Sequence, residues 1–237
     1  MSLIKITLPD NSVKNAEKGA TPQDIAAVIG PGLSKAVVVS KINGVLTDLN
    51  SPIVNDCNLE LFTGDTPEGH DTLLHSTAHL MAHAVKVLFP KAMVSIGPTI
   101  ENGFYYDFDV DIPFTEEILV QIEEKMKALA NLKTEIYRIE TSVKEAIKMF
   151  KDLGENYKVE IIEEINPDDI ITTYKQSDYT DLCRGPHVSN TSKIKYFKLL
   201  STSGAYWRGN ENNKMLQRIY GTVFSTKKAL KNNLNFL

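Results

Sequence analysis

Four of the five histidines lie close together, at His70, His75, His79 and His83. The spacing of four between His75, His79 and His83 places them in one stripe on a helix, with neighbours ~6 Å apart along its axis. Leu73, Thr77, Leu80, Ala84 and Leu88 fall on an adjacent face, so the stripe is expected to border a cleft rather than fill the core. Far downstream, Asp181-Leu182-Cys183-Arg184-Gly185-Pro186-His187 carries a Gly-Pro turn that can aim Cys183 and His187 inward from one loop. With His75 and His79 they make an HxxxH and CxxxH pair, a nitrogen and sulfur set suited to tetrahedral zinc. The same side chains also suit chemistry without metal. An imidazole can orient or deprotonate water, and a lysine such as Lys158 can neutralise an oxyanion or bind phosphate. Cys183 would serve as a nucleophile if His187 or His75 acted as its base. Cys57 sits in a strand-like run and reads as a buried structural thiol.

The elements that must hold these groups fall into two units. Alternation over residues 3–8 predicts a strand, followed by a turn at Pro9-Asp10-Asn11-Ser12 and a second short strand. Thr21-Pro22-Gln23-Asp24 starts a helix that Gly30-Pro31 is expected to stop. Residues 37–42 and 45–49 flank Asn43-Gly44, a hairpin signal, and a last strand is expected at 59–62. Strands and one helix in that order suggest a small ubiquitin-like β-grasp domain. Residues 63–69 read as a linker. Beyond it, helices are predicted at 71–88, 116–132 and from Ser142-Val143-Lys144-Glu145 to Leu153. Strands are predicted at 94–97, 104–110, 170–174 and 197–201, giving an α+β domain with a mainly antiparallel sheet. Residues 227–237 start like a helix with no stop signal, so more chain is expected to follow. Lys193, Lys195 and Lys198 form a modest basic cluster near a strand, although such clusters are usually solvated faces.

Composition bounds the rest. With 237 residues, 42% hydrophobic and 24% charged, the chain can bury one large or two modest cores, which excludes wholesale disorder. A net charge of −4 excludes a histone-like polybasic chain. No apolar run is long enough for a membrane span or secretory signal. Two cysteines cannot build a disulfide framework, so a reducing cytoplasm is the expected compartment.

Several stretches together resemble the bacterial-type threonyl-tRNA synthetase family. They are His75-Ser76-Thr77-Ala78-His79-Leu80, Gly97-Pro98 with Glu101-Asn102-Gly103-Phe104-Tyr105-Tyr106-Asp107, Tyr157-Lys158-Val159-Glu160, and the run from Asp181 to His187. The runs 204–209 and 212–222 resemble the same family, so the likeness covers essentially the whole chain. It implies a TGS domain at 1–62, an aminoacyl-tRNA editing domain at 63–224, and the start of a linker helix at 225–237. The implied activity is hydrolysis of seryl-tRNA wrongly made for threonine. In that family, positions matching His75, Lys158 and Cys183 are linked to catalysis, and His79, Asp181, His187 and Tyr105 to the substrate pocket. Asp181 is expected to hold the substrate ammonium, and Tyr105 or Tyr106 to stack on the terminal adenosine, only one of the two facing the pocket.

Related alanyl-type editing domains hold zinc on an HxxxH and CxxxH set, whereas threonyl-type sites work without it, so no cofactor is expected for editing and zinc stands as the alternative. The class II catalytic and anticodon-binding domains have no counterpart here. ATP, magnesium, the threonine-selecting zinc and the homodimer contact belong to that missing catalytic part. The expected partner is tRNA(Thr) through its aminoacylated 3′ end. Two other readings are a non-catalytic RNA-binding or regulatory module and a structural zinc domain.

Overall fold

A computed structural model of the chain describes residues 2–236. β1 (Leu3–Thr7) and β2 (Val13–Glu17) pair as a hairpin, with Ile4 and Ile6 turned into the core. Thr21 caps α1 (Pro22–Ile29) in a reciprocal box with Asp24. Gly30 ends that helix, but Pro31 occupies the first position of a new one, α2 (Pro31–Ala36), instead of only stopping the first. β3 (Val37–Ile42) and β4 (Val45–Thr47) turn through Asn43 and Gly44, both left-handed at φ 50° and 82°. β5 (Cys57–Thr63) completes a sheet in the order β2-β1-β5-β3-β4, in which β1 and β5 run parallel and the other pairs antiparallel. This is a β-grasp unit, and Cys57 is buried in its core beside Ile6 and Leu59.

Residues 63–69 do not form a free linker. The Thr66 hydroxyl accepts the Gly69 N–H and Pro67 sits at the first helical position, so α3 (Pro67–Leu88) begins there instead of at Asp71. From Thr72 to Val85 every residue of α3 except His75 is buried. The one-sided helix read from the sequence is therefore a central one, packed against β3 and β5 on one side and the second domain on the other.

That second domain continues with β6 (Met93–Val94), β7 (Thr99–Ile100), β8 (Gly103–Asp109) and α4 (Glu116–Asn131). Next come β9 (Ile136–Ser142), the boxed α5 (Val143–Asp152), α6 (Asn156–Glu163), β10 (Ile170–Gln176) and β11 (Tyr179–Leu182). β12 (Tyr196–Tyr206), β13 (Met215–Phe224) and α7 (Lys227–Leu234) close the described chain. One antiparallel sheet runs β12-β13-β8-β6 with β7 on β8, and a second runs β11-β10-β9. α5 and α6 pack on the second sheet through Val143, Ala146, Phe150, Val159, Ile162 and Ile171. Among the described residues no helix is long and apolar enough to cross a membrane.

The two domains share a core, since Val38 and Val39 join the main cluster around α3. Lys193 seals the seam by donating to the carbonyls of Ser34, Lys35 and Val37 at 3.2, 3.0 and 2.9 Å. Lys198 pairs with Glu123 at 2.9 Å. These two lysines therefore have structural partners, and the basic cluster expected at Lys193, Lys195 and Lys198 is not a free patch. Phe150, fully buried, is the largest side chain of the layer that carries α6. Phe150→Ala should lower unfolding stability by about 3–5 kcal/mol in urea titration; a change near zero would show that this layer is not a packed core.

Candidate active site

Cys183 and His187, on the loop after β11, meet the histidines of α3. His75 Nε2 lies 2.9 Å from Cys183 Sγ, and His187 Nε2 lies 3.2 Å from the same sulfur. The His75 and His187 rings stack with centroids 4.5 Å apart, and His79 meets His187 edge-on at 4.3 Å. Gly185 turns the loop in the left-handed region at φ 70°, and its N–H donates to Cys183 Sγ at 3.2 Å. The loop is thus folded back onto its own thiol.

Hydrogen-bond accounting fixes a consistent set of tautomers. Ser76 Oγ accepts the Val188 N–H at 3.0 Å, which leaves its hydrogen for His187 Nδ1 at 3.1 Å. His187 then carries its proton on Nε2 and donates to the sulfur, and the single S–H donates to His75 Nε2. In this arrangement the free nitrogen of His75 is a donor, Nδ1–H.

Behind this cluster lies a buried charge pair. Lys158, on α6, places Nζ 2.6 Å from Asp181 Oδ1, and both side chains are almost fully withdrawn from solvent. Asp181 Oδ2 accepts the phenol hydrogens of Tyr106 at 2.6 Å and Tyr179 at 3.0 Å, and His79 Nδ1 faces it at 3.4 Å. Lys158 also donates to the Tyr106 oxygen at 2.9 Å. The carboxylate, with 0% exposure, is occupied by the protein's own groups. It is paired with Lys158 and has no face open to a substrate ammonium, contrary to the expectation from sequence.

Burial sets the protonation states. Desolvation lowers the pKa of His75 and holds those of His79 and His187 well below the usual imidazole value. Loss of water likewise pushes the Cys183 thiol up to about 12. At neutral pH the three rings are uncharged and the sulfur keeps its proton, so Cys183 is a poor nucleophile in this setting.

These groups open onto a cleft of about 800 Å³. His75, His79, Tyr106, Lys158, Cys183 and Arg184 face it, with an apolar wall that includes Ile161, Ile165, Ile170 and Leu182. His187 and Asp181 stand behind the wall. Tyr106, not Tyr105, reaches the cleft: along β8 alternate side chains take opposite faces, and the phase puts Phe104, Tyr106 and Phe108 inside. Tyr105 lies instead on the other face, under the Arg218 guanidinium at 3.8 Å and beside Tyr220. Gly97 lets the Tyr106 ring lie against the backbone, since a Cβ there would fall 2.2 Å from it. His83 leaves the stripe's common task, stacking on Tyr179 and contacting Gln176 and Asp178. Sequence reading missed Ser76, Tyr179 and Arg184 in this neighbourhood; only the period-two pattern of β8 signalled that Tyr106 was an option.

The donor set also fits a zinc ion. One ligand atom from each of His75, His79, Cys183 and His187 lies within 4.8 Å of the others. Ser76 stands behind His187 and Asp181 behind His79, as outer partners that would orient the ligands.

Residues 4–63 match the TGS domain, and residues 171–220 match the threonyl and alanyl tRNA synthetase second additional domain. That combination defines the class: the chain is related to aminoacyl-tRNA synthetases. It is 54% identical over 98% of its length to the threonine–tRNA ligase of Citrifermentans bemidjiense. It is 52% identical over 100% to that of Pelobacter propionicus, and 50% over 99% to that of Clostridium tetani. The chain spans 36% of the length of the first relative and 37% of each of the other two. It is a homologue of the N-terminal region of threonine–tRNA ligase.

Imidazoles held neutral by burial bind fewer protons when folded than when unfolded, once the pH falls below their ordinary value of 6.5. Stability should therefore decrease from about pH 7 to about pH 5, read as a falling urea midpoint. His79→Gln should flatten that slope. Equal slopes for the two proteins would show that burial does not hold His79 neutral.

Proposed function

We propose that the chain hydrolyses the ester of seryl-tRNA(Thr) in the cytoplasm, as the proofreading part of threonine–tRNA ligase. The observation that supports this reading is the convergence of His75, His79, Cys183 and Lys158, from three separate chain segments, on one partly apolar cleft. Serine lacks only the methyl group of threonine, a difference worth about 1–3 kcal/mol at a single pocket. A second, hydrolytic site supplies the missing discrimination, and the cleft has the size of a small-ligand pocket, enough for a terminal adenosine and its amino acid. The proposed domain division follows: TGS at 1–62, editing at 63–224, and a linker from 225.

Water attacks the ester carbonyl carbon. A new C–O bond forms as the bond to the ribose oxygen breaks, and that oxygen takes up the proton the water gives up. His75 positions the ribose or the attacking water through its free nitrogen, held in place by the thiol of Cys183. The ammonium of Lys158, fixed by Asp181 and Tyr106, faces the negative charge that grows on the carbonyl oxygen. Cys183 orients His75 instead of attacking. Arg184 offers a guanidinium to the terminal phosphate, and Tyr106 takes the place expected of Tyr105.

The reaction as read needs no metal, since the Lys158 ammonium already supplies a positive group for the developing charge. A zinc ion held by His75, His79, Cys183 and His187 would supply Lewis acidity toward the carbonyl.

Incubated with seryl- and threonyl-tRNA(Thr) side by side, the protein should deacylate the first and spare the second. His75→Ala and Lys158→Ala should each slow seryl-tRNA hydrolysis on the order of 100-fold or more. A seryl ester left intact by the wild type would favour a non-catalytic RNA-binding module. Elemental analysis of protein purified without added zinc should find substoichiometric metal; one zinc per chain would overturn the metal-free reading.

A further inference from the structure

Asp48 follows β4 in the β-grasp domain, yet its carboxylate is committed to the other domain. Oδ1 accepts the backbone N–H of His187 and Oδ2 the phenol hydrogen of Tyr174, both at 2.7 Å. The two contacts converge on the loop that carries Cys183 and His187. The first holds the loop's main chain directly. The second fixes the Tyr174 ring, which packs edge-on against the His187 imidazole at 4.4 Å. The Tyr174 oxygen lies 1.9 Å from where a Cβ on Gly185 would stand, so the phenol fills the space inside the turn.

Within the loop the Gly185 N–H is taken by Cys183 Sγ and the His187 ring by Ser76 and the same sulfur, while the loop's main chain is tied to the rest of the second domain at its ends. The Cys183 N–H donates to the Thr172 carbonyl at 3.1 Å and the Val188 N–H to Ser76 Oγ at 3.0 Å. Between those ends, Asp48 takes the main-chain N–H of His187 from the other domain. Burial of this carboxylate raises its pKa, and the His187 N–H and Tyr174 hydroxyl oppose that rise by stabilising the charged form. A charged acceptor of this kind makes short, directional bonds that neutral groups match poorly.

We propose that Asp48 is a positioning residue of the hydrolytic site. By clamping the His187 N–H and the Tyr174 hydroxyl it sets the Cys183–His187 loop, so the N-terminal domain governs deacylation without touching substrate. The inference rests on the deacylase reading above.

The test compares wild type, Asp48→Ala, Asp48→Asn, Tyr174→Phe and Lys193→Ala. Two measurements are made on each: kcat and KM for seryl-tRNA(Thr) hydrolysis, and the alkylation rate of Cys183 by iodoacetamide, mapped by peptide mass. Lys193→Ala is the control, because it removes three bonds at the domain seam and none at the loop. Asp48→Ala should lower kcat by roughly 10- to 100-fold, as expected for a small misplacement of the reacting groups, with KM unchanged. It should also speed alkylation of Cys183.

Tyr174→Phe keeps the ring and deletes one of the two bonds, so a smaller loss of kcat is expected, and in combination with Asp48→Asn the losses should not add. This milder variant tests the clamp even if Asp48→Ala fails to fold. An unchanged kcat in the Asp48 and Tyr174 variants, or an equal loss in Lys193→Ala, would overturn the proposal. If the wild type does not hydrolyse seryl-tRNA, the deacylase reading fails, while the alkylation rates still decide whether Asp48 clamps the loop.

Discussion

A carboxylate sealed from solvent, Asp181, faces the ammonium of Lys158, and the candidate site is arranged around that pair. Such a pair is weak evidence for stability, because the desolvation of two ions offsets much of their attraction. Its value lies in direction. The lone pairs of Asp181 are taken up by Tyr106, Tyr179 and Lys158, so the ammonium has one place to sit. Those partners come from β8, β11 and α6, and the pair therefore ties both sheets and a helix to one point. A lysine on a flexible stem becomes a fixed charge at the edge of a cleft only because the groups behind it are rigid.

Three neutral imidazoles and a protonated thiol then make a polar cluster without net charge. Crowding imidazolium ions into that volume would set like charges against one another, and burial already disfavours the charged form. The positive groups at the cleft are Lys158, which Asp181 holds in place, and Arg184. This separates two tasks that the sequence pattern alone leaves merged: in the proposed reaction the rings orient groups, and the ammonium receives developing charge.

Much of this was legible in the sequence, and the failures share a cause. The capping boxes at Thr21 and Ser142 and the Asn43-Gly44 turn are local signals, and each element forms where its signal lies. The HxxxH spacing placed His75 and His79 together because helical geometry is local too. The same spacing set His83 on the stripe but could not show its separate task, because its neighbours Gln176, Asp178 and Tyr179 come from another part of the chain. Period two along β8 showed that Tyr105 and Tyr106 diverge, but the phase is set by what packs on the sheet. α6, which carries Lys158, has no side-chain cap and was not anticipated. Lys193 looked like one of a basic cluster, whereas three carbonyls from another domain make it a docking residue.

Helix α3 explains why so much long-range information meets in one place. A helix buried on nearly every side must present its few polar groups to partners, since unpaired polar atoms in a core are costly. Thr77 satisfies its own hydroxyl on the Leu73 carbonyl, Ser76 takes Val188 and His187, and His75 takes Cys183. The β-grasp sheet packs on the opposite side of the same helix, and Asp48 crosses the seam to reach the same loop. Both domains therefore bear on one segment, 183–187, whose conformation no local signal beyond its Gly-Pro turn could fix. The proteolytic or genetic removal of the N-terminal sheet would expose Val38 and Val39's partners on α3 and unclamp the loop together. By this geometry the site lies within the second domain, and the first domain braces its loop from across the seam.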